Sequence, residues 1–235
     1  MIFQKSILII LHQGHSTPGR VGLKLQQKGY ALDIRKPRFG DKMPTTLENH
    51  AGAVIFGGPM SANDNEEWLK QEIDWIAIPL KENRPFLGIC LGAQMLTKTI
   101  GGEVVSCPDS TVEAGYYPIF PTELCQNELP SWPSHVYQWH RDWMRVPDPQ
   151  SRLLAKGVYD SHQAFKASQN AFGIQFHPEV TRKMMHRWTV LAAPFLEQKG
   201  AHPASMHIQN RHQYDPQVDA WLEQFLDHWL SSEKS

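Results

Sequence analysis

Over roughly the first hundred residues, short apolar runs alternate with longer segments of helical periodicity. Residues 6–11, 30–35, 51–56 and 86–89 read as strands, the first of them nearly all apolar, as expected of a strand covered on both faces. Residues 18–29, 65–80 and 91–100 read as helices. In the second, Trp68, Leu69, Ile73 and Ile76 lie at helical spacing, and Glu66 and Glu67 suit a first turn. The third is stopped by Gly101-Gly102. This β-α-β-α alternation predicts an α/β fold, an open and mostly parallel sheet with helices on both faces. Functional groups in such sheets gather at the C-terminal ends of the strands. His12, Gly57-Gly58 and Cys90 all stand at such ends.

The pattern changes at residues 104–169. Short runs at 116–120, 135–139 and 152–155 alternate with prolines and turns, which predicts antiparallel strands and long loops added to the parallel core. Residues 171–176 form a further strand and 181–196 a helix. The stretch 200–215 is polar and His-rich, and reads as a solvated loop. Residues 216–230 form a last helix, with Val218, Trp221, Leu222, Phe225, Trp229 and Leu230 on one apolar stripe that predicts docking on the core.

Length and composition narrow the classes. A chain of 235 residues, 41% hydrophobic, is expected to form one large domain over residues 1–235. Its 23 basic and 24 acidic residues give a net charge of −1, and no basic tail is present, so nothing favours nucleic acid or an anionic membrane as partner. The apolar run at 7–11 is too short to span a bilayer. Three cysteines, Cys90, Cys107 and Cys125, lack C-x-x-C spacing and suit a reducing compartment, so the cytoplasm is the expected location. None of the 12 histidines falls in a metal-binding spacing, so neither metal nor cofactor is expected.

Two stretches carry candidate chemistry. Cys90 sits on a strand-to-helix turn between Gly88 and Gly92, the layout of a nucleophile elbow with Cys in place of Ser. The helix N-terminus favours a thiolate there, and the amide of Leu91 faces the place where an oxyanion would form. A buried core cysteine is the bland alternative. A second stretch shifts the balance away from it. His177 and Glu179 end an apolar strand, where an ionisable pair is costly without a partner. Pro178 holds His177 extended, so the i and i+2 side chains can share a face. Glu179 can then steady one ring nitrogen while the other meets Cys90. Gly57-Gly58-Pro59 ends the third strand, and Gly58 can offer a second oxyanion amide.

Gly57-Gly58-Pro59, Gly88-Ile89-Cys90-Leu91-Gly92-Ala93-Gln94 and Phe176-His177-Pro178-Glu179, in this order, resemble the three signatures of the class I glutamine amidotransferases. Gln138-Trp139-His140-Arg141-Asp142, Gln163-Ala164-Phe165 and the C-terminal apolar stripe resemble a stand-alone branch related to the amidotransferase domain of guanosine-monophosphate synthase. The resemblance implies a flavodoxin-like sheet. It implies that Cys90 attacks the side-chain amide of glutamine and forms a γ-glutamyl thioester, with His177 relaying protons and Glu179 orienting it. The amides of Gly58 and Leu91 would hold the oxyanion. Gly57, Gln94 and the segment Trp139, His140, Arg141 and Asp142 would line the glutamine site. Related synthases usually have glycine where Arg141 stands; its side chain could narrow the pocket or read a carboxylate of another substrate. The chain has no G-x-x-x-x-G-K-[ST] phosphate loop, so an ammonia acceptor would be a separate synthase chain. Three functions are therefore in view: a glutamine amidohydrolase, alone or with a synthase; a γ-glutamyl peptidase; and a non-catalytic regulatory binding protein on the same fold, against which the intact triad argues.

Overall fold

A computed structural model describes residues 5–107, 109–126 and 132–231. The strands are β1 (Ser6–Ile10), β2 (Leu32–Arg35), β3 (His50–Ile55), β4 (Phe86–Ile89), β5 (Glu103–Ser106), β6 (Glu113–Pro118), β7 (Phe120–Pro121), β8 (His135–His140), β9 (Asp142–Arg145), β10 (Arg152–Lys156), β11 (Ala164–Ser168) and β12 (Ala171–Ile174). The α-helices are α1 (Gly19–Gln27), α2 (Glu67–Trp75), α3 (Ala77–Lys81), α4 (Leu91–Thr99), α5 (Glu123–Gln126), α6 (Arg182–Leu191) and α7 (Ala204–Ser231).

The main sheet has eight strands in the order β2-β1-β3-β4-β12-β11-β10-β7. From β2 to β12 neighbouring strands are parallel, and β11, β10 and β7 extend the sheet antiparallel. Two small antiparallel ladders, β5-β9 and β6-β8, stand beside it. Pleating sorts the apolar runs into two cores. Ile7 and Ile9 of β1 point to one face, where Trp221, Phe225 and Trp229 of α7 cover them. Leu8 and Ile10 point to the other, toward Leu69 and Trp75 of α2 and Met95 and Leu96 of α4. Continuous apolar strands are what this two-sided burial requires. Among the described residues no helix is long and apolar enough to cross a membrane.

Three segments depart from the sequence expectation. The expected loop at 200–215 is mostly helix: α7 starts at Ala204 and carries Pro216 in its interior. His207 of this stretch is fully buried, its Nδ1 2.9 Å from the Tyr137 hydroxyl and its Nε2 2.9 Å from the His202 carbonyl. Tertiary packing of a polar residue thus extends the helix past a proline that, read locally, marks a helix start. The segment 65–80 is two helices, α2 and α3, meeting at Ile76. The segment 181–196 is α6 followed by a 3-10 turn at Ala193–Glu197, where Pro194 stands in the first turn.

Candidate active site

The parallel strands deliver their ends to one place. β4 runs into Cys90, which takes φ 51° and ψ −107° before α4 begins at Leu91. A non-glycine residue at such φ costs about 1–3 kcal/mol and persists only where its surroundings enforce it. Gly88 and Gly92 provide that enforcement. A Cβ on Gly92 would meet the Ile55 carbonyl oxygen at 2.1 Å, and one on Gly88 would meet the Gly92 carbonyl at 2.5 Å. Side-chain-free backbone at both positions lets the turn close.

β12 leads into Phe176 and His177. The His177 backbone amide donates to the Tyr137 carbonyl at 2.8 Å, and its Nδ1 lies 2.8 Å from Glu179 Oε1. Both side chains are buried. Nε2 makes no hydrogen bond; Cys90 stands close enough to act on the ring electrostatically. Burial alone would lower the pKa of His177, but Glu179, followed by Cys90, outweighs it and pushes the value up to about 10. Both neighbours thus favour the protonated form of the ring.

β3 ends at Gly57-Gly58. A Cβ on Gly57 would come within 2.8 Å of His177 Cε1 and 3.3 Å of Cys90 Cβ, so the strand end lies directly against the Cys-His pair. Gly58 packs against the Leu91 side chain, where a Cβ would stand 3.2 Å from Cδ2. Leu91 opens α4, and the amides of a first helical turn have no intrahelical acceptor.

Sequence reasoning placed His12 at a strand end but gave it no role, and missed Glu72. His12, just beyond β1, has Nδ1 3.1 Å from the Gly57 carbonyl oxygen and Nε2 2.9 Å from Glu72 Oε2. Both side chains are fully buried. The position of His12 at a strand's C-terminal end was the available signal; nothing local points to Glu72.

Cys90 lies between two cavities. One, of about 220 Å³, is lined by Met60, Gln94, His140, Arg141, Asp142 and Phe195; the other, of about 250 Å³, is lined by residues that include His177, Glu179, Met184, Arg187 and Trp188. Gly58, Pro59, Trp139 and Ala192 border both, and Gly57 borders only the second. In the first cavity Asp142 has its acceptors taken. Its carboxylate receives Ser61 Oγ at 2.6 Å and Ser106 Oγ at 2.9 Å, and its carbonyl receives Gln94 Nε2 at 3.2 Å. Asp142 thus positions its segment. The side chain of Arg141 has no hydrogen bond or ion pair among the described residues and is exposed beside the cavity. Behind it, His140 Nε2 stands 2.9 Å from the buried Glu113 carboxylate, which also accepts from Gln163 at 2.8 Å. The described residues hold no cluster that could bind a metal ion.

A family model described as glutamine amidotransferase class-I matches residues 20–190. The chain belongs to this family. It is 28% identical over 180 residues to the glutamine-hydrolyzing GMP synthase of Aeropyrum pernix, a match that takes 74% of this chain and 34% of that one. It is 30% identical over 144 residues to a glutamine-hydrolyzing GMP synthase subunit of Sulfurisphaera tokodaii, covering 60% of this chain and 73% of that one. Among solved structures, a glutamine amidotransferase from Thermotoga maritima superposes with a TM-score of 0.85 at 28% identity, over 96% of this chain and 98% of that one. The flavodoxin-like sheet with added antiparallel strands is thus the class I amidotransferase fold.

Proposed function

We propose that this class I amidotransferase hydrolyses the side-chain amide of glutamine through a thioester at Cys90. The observation that carries the reading is the buried His177 ring, with Nδ1 on the Glu179 carboxylate at 2.8 Å and Cys90 beside it at the end of the neighbouring strand. Cys90 Sγ bonds to the amide carbon, and the oxyanion that forms is met by the amides of Gly58 and Leu91. The C–N bond breaks, and the departing nitrogen takes the proton of His177. Water then gives a proton to His177 and its oxygen to the acyl carbon, the C–S bond breaks, and glutamate leaves. Glu179 keeps the ring oriented through both steps.

The acyl half occupies the cavity of Gln94 and the 139–142 segment. Its α-carboxylate meets the guanidinium of Arg141, a charge-assisted contact that glycine could not provide. The relatives named as single subunits of a GMP synthase support a separate synthase chain as acceptor of the ammonia, and a cytoplasmic location follows from that reading. Glutamate release from glutamine by the purified chain is the test, with Cys90→Ala as control. Full activity in that variant overturns the proposal.

A further inference from the structure

The cavity on the His177 side has no task when the leaving group is ammonia. It measures about 250 Å³, whereas a cavity needs only about 10–15 Å³ to hold one water-sized molecule, and ammonia is of that size. We propose that it is a leaving-amine site and that the enzyme also cleaves γ-glutamyl amides whose amine is an apolar α-amino acid. The inference rests on the Cys90 thioester reading.

Three observations carry it. First, the nitrogen of a scissile amide departs toward its proton donor, and His177 lines this cavity and not the one at Gln94. The two cavities therefore sort themselves into an acyl side and an amine side, with Cys90 between them. Second, the walls are largely apolar: Leu11, Phe56, Met184, Trp188 and Leu191. Trp188 meets the His177 ring edge-on, centroids 5.1 Å apart at 80°, so the wall begins at the acid itself. Burying an apolar side chain there is favourable, while ammonia leaves those walls to water. Third, Arg187 lines the same cavity, and among the described residues nothing pairs with its guanidinium. A free α-carboxylate on the leaving amine supplies that partner.

The chemistry balances as before. The Cys90 Sγ–carbon bond forms, the amide C–N bond breaks, and the amine leaves with the His177 proton. Water then splits the thioester to glutamate, so the products are glutamate and a free amino acid.

Glutamate release by the full chain is measured with glutamine, γ-glutamylglycine, γ-glutamylphenylalanine and γ-glutamylphenethylamide. The phenylalanine dipeptide is expected to exceed the glycine dipeptide in kcat/KM by about tenfold or more. Arg187→Ala is expected to lower the ratio of kcat/KM for γ-glutamylphenylalanine over γ-glutamylphenethylamide by about fivefold, because the phenethylamide carries no carboxylate and the arginine is exposed. Turnover of glutamine with equally poor turnover of both dipeptides overturns the leaving-amine site and leaves the thioester reading standing. Absence of Cys90-dependent release from all four compounds overturns both. A preference for phenylalanine with a ratio unmoved in Arg187→Ala overturns the amino-acid assignment.

Discussion

His12 holds the carbonyl of Gly57 at 3.1 Å, and is itself held by Glu72 at 2.9 Å. The one cis peptide bond among the described residues is Asp148-Pro149, so the bond between Gly57 and Gly58 is trans. In a trans peptide the carbonyl and the following amide point opposite ways. Fixing the Gly57 oxygen therefore fixes the direction of the Gly58 amide, the second proposed oxyanion donor. His12→Ala frees that peptide, and kcat is expected to fall about 100-fold with KM little changed. Alkylation of Cys90 should continue near its normal rate, since sulfur, His177 and Glu179 are untouched. The lone Glu72 left buried costs about 3 kcal/mol of stability. Adding Glu72→Gln removes that charge and keeps the folded protein available for assay. An unchanged kcat in either variant removes His12 from the oxyanion site.

The elbow leaves no space at Gly92. A Cβ 2.1 Å from the Ile55 carbonyl oxygen meets backbone of a central strand, which cannot turn aside as a flexible side chain would. Gly92→Ala is expected to destabilise by about 3 kcal/mol and to abolish activity, because relief requires α4 and β3 to separate at Cys90. Gly14, with nothing within 4 Å of its would-be Cβ, is the control, and its alanine variant should unfold at the wild-type denaturant concentration. Equal stability of the two variants would show that the turn has slack.

What the sequence reveals and what it hides follow from the range of the interactions. The Cys90 elbow and the His177-Pro178-Glu179 segment are legible because a few adjacent residues set each geometry. The sheet is legible because burial on both faces writes itself into short apolar runs. The 204–215 part of α7 is hidden because its anchor, His207 on Tyr137, joins residues 70 positions apart. A polar residue in a core leaves no apolar periodicity behind, and Pro216 imitates a helix start. The His12–Glu72 pair spans 60 positions and is hidden for the same reason. Asp142 is legible as part of a motif but not in its role, which depends on Ser61 and Ser106 arriving from other strands and loops.

The His177–Glu179 pair makes stability depend on pH with a definite sign. The folded state raises the His177 pKa from 6.5 to about 10, so it holds the proton more tightly than the unfolded chain does. That stabilisation is complete below about pH 6.5 and fades as pH rises toward about 10. Burial works against it, and the Glu179 carboxylate is the largest contribution that raises the value. In Glu179→Gln the pKa drops, so less stability is lost over the same window. Urea midpoints of both proteins between about pH 6 and pH 10 test this. The wild-type advantage should shrink steadily with rising pH, and an advantage constant across the window would contradict the assigned pair.

Asp215 ties the segment after His177 to two helices. It receives Arg20 through both terminal nitrogens, at 2.9 and 2.8 Å, and Arg211 at 2.6 Å. The same two arginines hold the backbone after His177. Arg20 Nε donates to the Pro178 carbonyl at 3.1 Å and Arg211 Nη1 to that of Val180 at 3.0 Å. The Arg20 amide donates to the Glu179 carbonyl at 2.9 Å. Asp215→Ala leaves two guanidinium groups facing each other, with Arg20 only 12% exposed, and should cost about 3 kcal/mol. A structural role alone would stop there. A positioning role adds a fall in kcat of about tenfold, measured well below the unfolding temperature, because a small displacement of the His177 ring is enough to slow proton transfer. Asp215→Glu, which keeps the charge, should restore part of both; an unchanged kcat in Asp215→Ala would place Asp215 outside the catalytic geometry.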